Sequence, residues 1–173
     1  LLPVAGYHHA HSILESRVAS KPDTRPVHPS LMTLIDSWRA TMAMGRGHHM
    51  KAQELLSGLG DGGLETGHGH GATARLYLLQ DKFAQALAEA EVGIAMARGP
   101  WWELELQLIA AVSAHRMNDL STAFQHLDVA ANLVQSHALD LNTTMVPFDD
   151  LTAACAAALD ASPDSHALQE LAD

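Results

Sequence analysis

The chain has 173 residues, 47% hydrophobic and 5% aromatic, so it can bury one continuous core, and its alanine and leucine content suits helix packing better than sheet. A net charge of −10, with no lysine or arginine after Arg116, argues against direct contact with nucleic acid, because a phosphate-binding surface needs clustered cations. No uncharged apolar run reaches the roughly 18–20 residues of a membrane span and no leader pattern opens the chain, so a soluble, cytoplasmic protein with no membrane contact is expected.

Residues 7–20 form an amphipathic helix carrying Ala10, Ile13, Leu14 and Val18 on one side, which reads as the second half of a hairpin. Because its partner helix is missing and the chain opens Leu1-Leu2-Pro3, the sequence is expected to be a fragment of a longer protein. Residues 21–29 hold three prolines and form an extended connector, after which Ser30 is placed to cap a helix over 31–45. A short partner helix runs from 48 to about 59. Residues 58–71 contain seven glycines in fourteen positions and predict a mobile loop.

From Ala74 onward the pattern becomes periodic. Ala74, Tyr77, Phe83, Ala86, Ala90 and Gly93 are separated by steps of three, six, three, four and three, and Ala111, Ala114, Leu120, Ala123, Leu127 and Ala130 repeat those steps. Ala40, Ala43, His49, Ala52, Leu56 and Leu59 form a weaker upstream copy, so the units recur at offsets of 34 and 37 residues. Steps of three and four put each group on one helix face, and small residues there let two backbones approach closely. The six-residue step spans a turn. Asp81 and Asp119 are placed there to cap the following helix, and Phe83 and Leu120 to plug the turn. Gly99-Pro100 then separates two hairpins, and Trp101 and Trp102 open a helix that is apolar nearly all round and therefore buried on two sides. A connector from His137 to Pro147, an alanine-rich helix from Phe148 to about Leu159 and a short terminal helix from Ser162 complete the chain.

The expected fold is all-α: a single helical-repeat domain over 1–173, built as a right-handed superhelix of antiparallel hairpins of the tetratricopeptide-like kind. Its repeats lie at about 31–59, 72–98 and 101–136, with a partial repeat at 7–20 and terminal helices over 148–171.

Candidate chemistry is sparse. No Gly-x-Ser-x-Gly elbow, phosphate loop or positioned nucleophile is present, so catalysis and cofactors are not expected. The twelve histidines cluster at 8, 9 and 11, at 48 and 49, and at 68 and 70, but none forms the i, i+4 pair that suits a helical metal site, so no metal is expected and the imidazoles read as solvent-exposed. Cys155, the single cysteine, reads as a buried inert thiol. A stack of hairpins does supply a groove lined by its first helices. There Thr41, Met44, Arg75, Leu78, Leu79, Glu105, Leu108, Val112, His115 and Arg116 are left free by the contacts inside each hairpin. Arg75 and Arg116 are the candidate anchors, because an arginine fork can hold a carboxylate or phosphate over the apolar floor of Leu78, Leu79, Leu108 and Val112.

The runs AQALAEAEVGIAMARG (84–99), WWELELQLIAAVSAHRMNDLSTAFQHLDVAANLVQSHAL (101–139) and VPFDD (146–150) resemble the helical-repeat region of MalT-like, LuxR-family bacterial transcription regulators. The resemblance implies a sensor segment that binds a small-molecule effector or a protein partner and is able to form homo-oligomers. ATP and DNA binding would then belong to other modules of such a regulator. The alternative is a generic interaction scaffold of tetratricopeptide-like repeats, unconnected with transcription.

Overall fold

Three turns of one geometry organise the molecule. The computed structural model describes residues 29–59, 67–139, 146–163, 168, 169 and 171. These form seven helices with no strand among the described residues: α1 (Pro29–Gly45), α2 (His49–Ser57), α3 (Gly67–Leu79), α4 (Phe83–Met96), α5 (Pro100–Arg116), α6 (Leu120–His137) and α7 (Phe148–Ala161). Between α1 and α2, α3 and α4, and α5 and α6 the chain reverses in the same way. The carbonyls of Ala43, Tyr77 and Ala114 accept from the backbone N–H of His48, Lys82 and Asp119 at 2.8–2.9 Å. One residue earlier, Gly47, Asp81 and Asn118 sit at φ of 75°, 56° and 62°. This is the left-handed helix stop in which two outer N–H groups satisfy the last free carbonyls.

The acceptor positions 43, 77 and 114 keep the offsets read from the sequence, so the steps of six do mark turns. The capping assignment needs one correction. Asp119 caps α6, its carboxylate accepting from Thr122 N at 3.2 Å and from Thr122 Oγ1 at 2.8 Å. Asp81 is the left-handed residue itself, aligned with Asn118, and the residue that precedes α4 is Lys82, which makes no side-chain cap. Leu120 does not plug its turn, being 40% exposed. Phe83 is half-buried, with the Arg116 guanidinium 4.7 Å above its ring.

Packing follows the hairpins. Each first helix (α1, α3, α5, α7) packs on its neighbouring first helix, and α2, α4 and α6 each pack on the first helix of the next unit. Ala40, Ala52, Ala74, Ala86, Ala90, Ala111, Ala123, Leu127 and Ala130 are fully buried, as the repeated steps predict. α5 is central: every residue from Leu104 to Ala114 is buried, against α3 and α4 on one side and α6 and α7 on the other. Cys155 on α7 joins this core, and burial pushes its thiol up to about 11, so it is an inert structural residue. Substituting leucine for Ala86 or Ala123 is expected to cost about 1–3 kcal/mol each by overpacking a helix contact, read as a lowered thermal midpoint; unchanged midpoints would contradict the contact.

The glycine-rich stretch departs from expectation. Helix α3 begins at Gly67, so residues 67–71 are helical instead of loop, while residues 60–66 lie outside the described residues. The reason is close approach. A Cβ on Gly67 would lie 3.3 Å from the carbonyl oxygen of Gly93, and one on Gly93 would lie 3.0 Å from Leu106 Cδ2 and 3.2 Å from His70 Cβ. Gly67 lets the α3 backbone approach that of α4, and Gly93 leaves room on α4 for the Leu106 side chain of α5 and for His70 of α3. The helix over 7–20 and the connector over 21–28 also lie outside the described residues. α1 itself starts at Pro29, which puts Ser30 inside the first turn and not at the cap.

Candidate functional site

The first helices present matching faces to one another. On α1 these are Ser37, Trp38 and Thr41; on α3, Gly67, His68, Gly71, Ala72 and Arg75; on α5, Trp101, Trp102, Glu105 and Leu106. The spacing i, i+1, i+4, i+5, i+8 is one helix face in each case, and the three faces enclose a narrow pocket of about 30 Å³. Its walls are aromatic. The ring centroid of Trp102 lies 4.1 Å from that of His68, 5.0 Å from Trp101 and 6.4 Å from Trp38, every pair edge-on at 73–87°. Gly67 and Gly71 line its α3 side without a side chain.

The floor is ionic. Arg75, 4% exposed, donates from Nη1 to Thr41 Oγ1 at 2.7 Å and from Nη2 to Glu105 Oε1, so one guanidinium joins α1, α3 and α5. Two charges buried together are each compensated by the other. Three polar atoms around the pocket are nevertheless buried with no protein partner: Ser37 Oγ, His68 Nδ1 and Arg75 Nε. Buried polar groups are nearly always hydrogen-bonded, so three orphans on residues that line one pocket single it out as the candidate site.

Of the groove residues read from the sequence, Thr41, Arg75 and Glu105 meet here. The others do not. Met44, Leu78, Leu108 and Val112 are core side chains with 0–4% of their surface exposed, which removes the apolar floor assigned to Leu78, Leu108 and Val112. Leu79 is 37% exposed, and the half-buried His115 lies at the far end of α5 from the pocket. Arg116 stands at that same end, 41% exposed, bonded to Asp150 at 2.8 Å and 3.7 Å from Asp81. It links successive units through their turns.

Ser37, Trp38, His68, Trp101 and Trp102 were not singled out by sequence reasoning as site residues. The available signal was the pair Trp101-Trp102 opening one first helix, with the remaining tryptophan, Trp38, on another.

The histidines diverge. His68 faces Trp102, whereas His70, 8% exposed, places Nδ1 2.7 Å from Glu89 Oε2 across to α4, so this pair is not solvent-exposed as its glycine-rich surroundings suggested. Among the described residues no group of three or more His, Cys, Asp and Glu side chains stands close enough to hold a metal ion. None of the helices is long and apolar enough to cross a membrane among the described residues. Comparison of the chain with protein-family models, with curated proteins and with solved structures returns no match.

Burial lowers His68 from its ordinary value of 6.5, and burial also lowers His126, which sits 2.6 Å from Gln107 Oε1 and is pulled partly back by Glu91. Between the lowered folded values and 6.5 the unfolded chain therefore binds protons that the folded chain does not. Stability is fully present above about pH 6.5 and is lost as pH falls through the folded values. Thermal midpoints measured from pH 7.5 to pH 5.5, or roughly that window, are expected to fall for the wild type and to fall less for His68→Gln. Parallel curves would place the titration elsewhere.

Proposed function

We propose that this chain is the effector-sensing segment of a MalT-like, LuxR-type transcription regulator, a right-handed superhelix of tetratricopeptide-like hairpins whose effector binds on the first-helix face. It acts in the cytoplasm, catalyses nothing, and leaves DNA contact to other parts of the regulator. The repeated turns and the packing of first helix on first helix support the architecture. One observation carries the functional reading: Ser37 Oγ, His68 Nδ1 and Arg75 Nε, all without a protein partner, border one aromatic-walled pocket.

The test is made in cells expressing the intact gene product. Cross-linking followed by sequencing of bound DNA is expected to recover a small set of promoters. Their output should respond to an added effector in the wild type and not in Trp102→Ala, with protein levels equal. Recovery of no promoter overturns the regulator reading and leaves the chain an interaction scaffold. A response retained in Trp102→Ala moves the effector away from this pocket.

A further inference from the structure

The edge of the stack where the hairpins turn differs from the rest of the surface. Nine large apolar side chains stand exposed among the described residues, and five of them, Met50, Leu79, Met117, Leu120 and Phe148, sit at this edge, in a turn or within two residues of a helix end that meets one. The start of α7 belongs to the edge, because Asp150 there bonds Arg116 at 2.8 Å, and Arg116 lies 3.7 Å from Asp81 and over the ring of Phe83. Single exposed apolar side chains are ordinary, whereas their gathering along one edge is the mark of a surface that meets another protein. Met50 and Phe148, 79% and 78% exposed, stand at its two ends. Helix packing from α1 to α3, α3 to α5 and α5 to α7, at about 8–10 Å a step, sets those ends roughly 25–30 Å apart. An edge of that length and two helices deep is on the scale of a specific interface, about 800 Å² per partner.

The charge along this edge changes sign. The α1–α2 turn carries Arg46 and Lys51 against Glu54, the middle carries Lys82 against Asp81, and the far end carries Asp119, Asp149 and Asp150 against Arg116. An edge that is basic at one end and acidic at the other is complementary to its own reversed copy, and a two-fold axis is the operation that reverses it. We infer that the turn edge is the interface with a second copy of this chain. The two-fold axis passes between the α3–α4 and α5–α6 turns, so Met50 and Lys51 of one copy meet Phe148 and Asp149 of the other at both ends. The aromatic pocket lies at the opposite end of α3 and α5, so this interface stands or falls independently of the effector reading.

Sedimentation equilibrium of the full chain tests it. A monomer–dimer equilibrium with a dissociation constant of about 1–100 µM is expected, since area at the low end of stable interfaces leaves little surplus over the cost of association. Met50→Ser and Phe148→Ser remove side chains that are almost wholly exposed in the single chain, so each is expected to keep the wild-type melting temperature while weakening the dimer about tenfold or more. Lys51→Glu and Asp149→Lys each set like charges against one another at both ends and should weaken it by a similar factor. An equimolar mixture of those two charge variants is expected to recover wild-type affinity, because the charges are then opposite at both contacts. A wild type that stays monomeric up to about 1 mM leaves the edge to a partner of other sequence and overturns the inference. So does a dimer indifferent to Met50→Ser and Phe148→Ser, or a mixture no tighter than either charge variant alone.

Discussion

Arg75→Ala is expected to destabilise the chain by about 3–5 kcal/mol. Arg75 and Glu105 have side chains only 5% and 4% exposed, and the guanidinium also satisfies Thr41 Oγ1. Removing it takes away the guanidinium that compensates a buried carboxylate, and that desolvation is what the loss measures. Replacing both charged residues, as in Arg75→Met with Glu105→Met, should cost less than Arg75→Ala, because no uncompensated charge remains. Urea titration of the three chains checks this. A surface arginine that merely anchors a ligand would instead leave the single variant at wild-type stability, and a double variant as damaged as the single one would show that shape outweighs charge at this position.

Leu108→Ala is expected to cost about 2–5 kcal/mol. The side chain is fully buried on α5, where α3, α4, α6 and α7 all pack, so a cavity there has little room to collapse. The same midpoint measurement tests it, and a change of less than about 1 kcal/mol would return Leu108 to a half-open groove.

The contrast between these two residues shows what the sequence could express. Steps of three and four with alanine at the contacts report which face of a helix meets its hairpin partner, and Ala74, Ala86, Ala111 and Ala123 are buried accordingly. The turns were legible for the same reason, since the acceptor carbonyls at 43, 77 and 114 fall at the repeated step. The next face round the helix is not reported in this way. Leu78, Leu108 and Val112 look free within their own hairpins and are taken up by contacts with the neighbouring unit. Periodicity states that a face is apolar but not whether a ligand or another helix covers it. The glycines at 67 and 71 misled differently: judged one by one they carry a large ordering cost, yet together with Gly93 they permit a three-helix approach whose packing outweighs it. The pocket escaped notice because its walls come from three separate helices and its polar atoms are recognised only by lacking partners.

The apolar interior is divided. Ala40, Ala43, Met44 and Ala52 gather around Leu76 in a small cluster of their own, apart from the larger one that runs from Ala74 through α5 to α7. The first described hairpin is thus a separable leaf, and repeat units of this kind open locally at free energies below that of global unfolding. The aromatic pocket straddles the seam, taking Ser37, Trp38 and Thr41 from the leaf and the rest of its lining from α3 and α5. Any occupant bound only when the leaf is closed raises the free energy of opening by RT ln(1 + [L]/Kd), so concentration in the surroundings is converted into how often α1 and α2 lift away. Amide exchange in α1 and α2 would register that conversion directly, while α5 stays as protected as before.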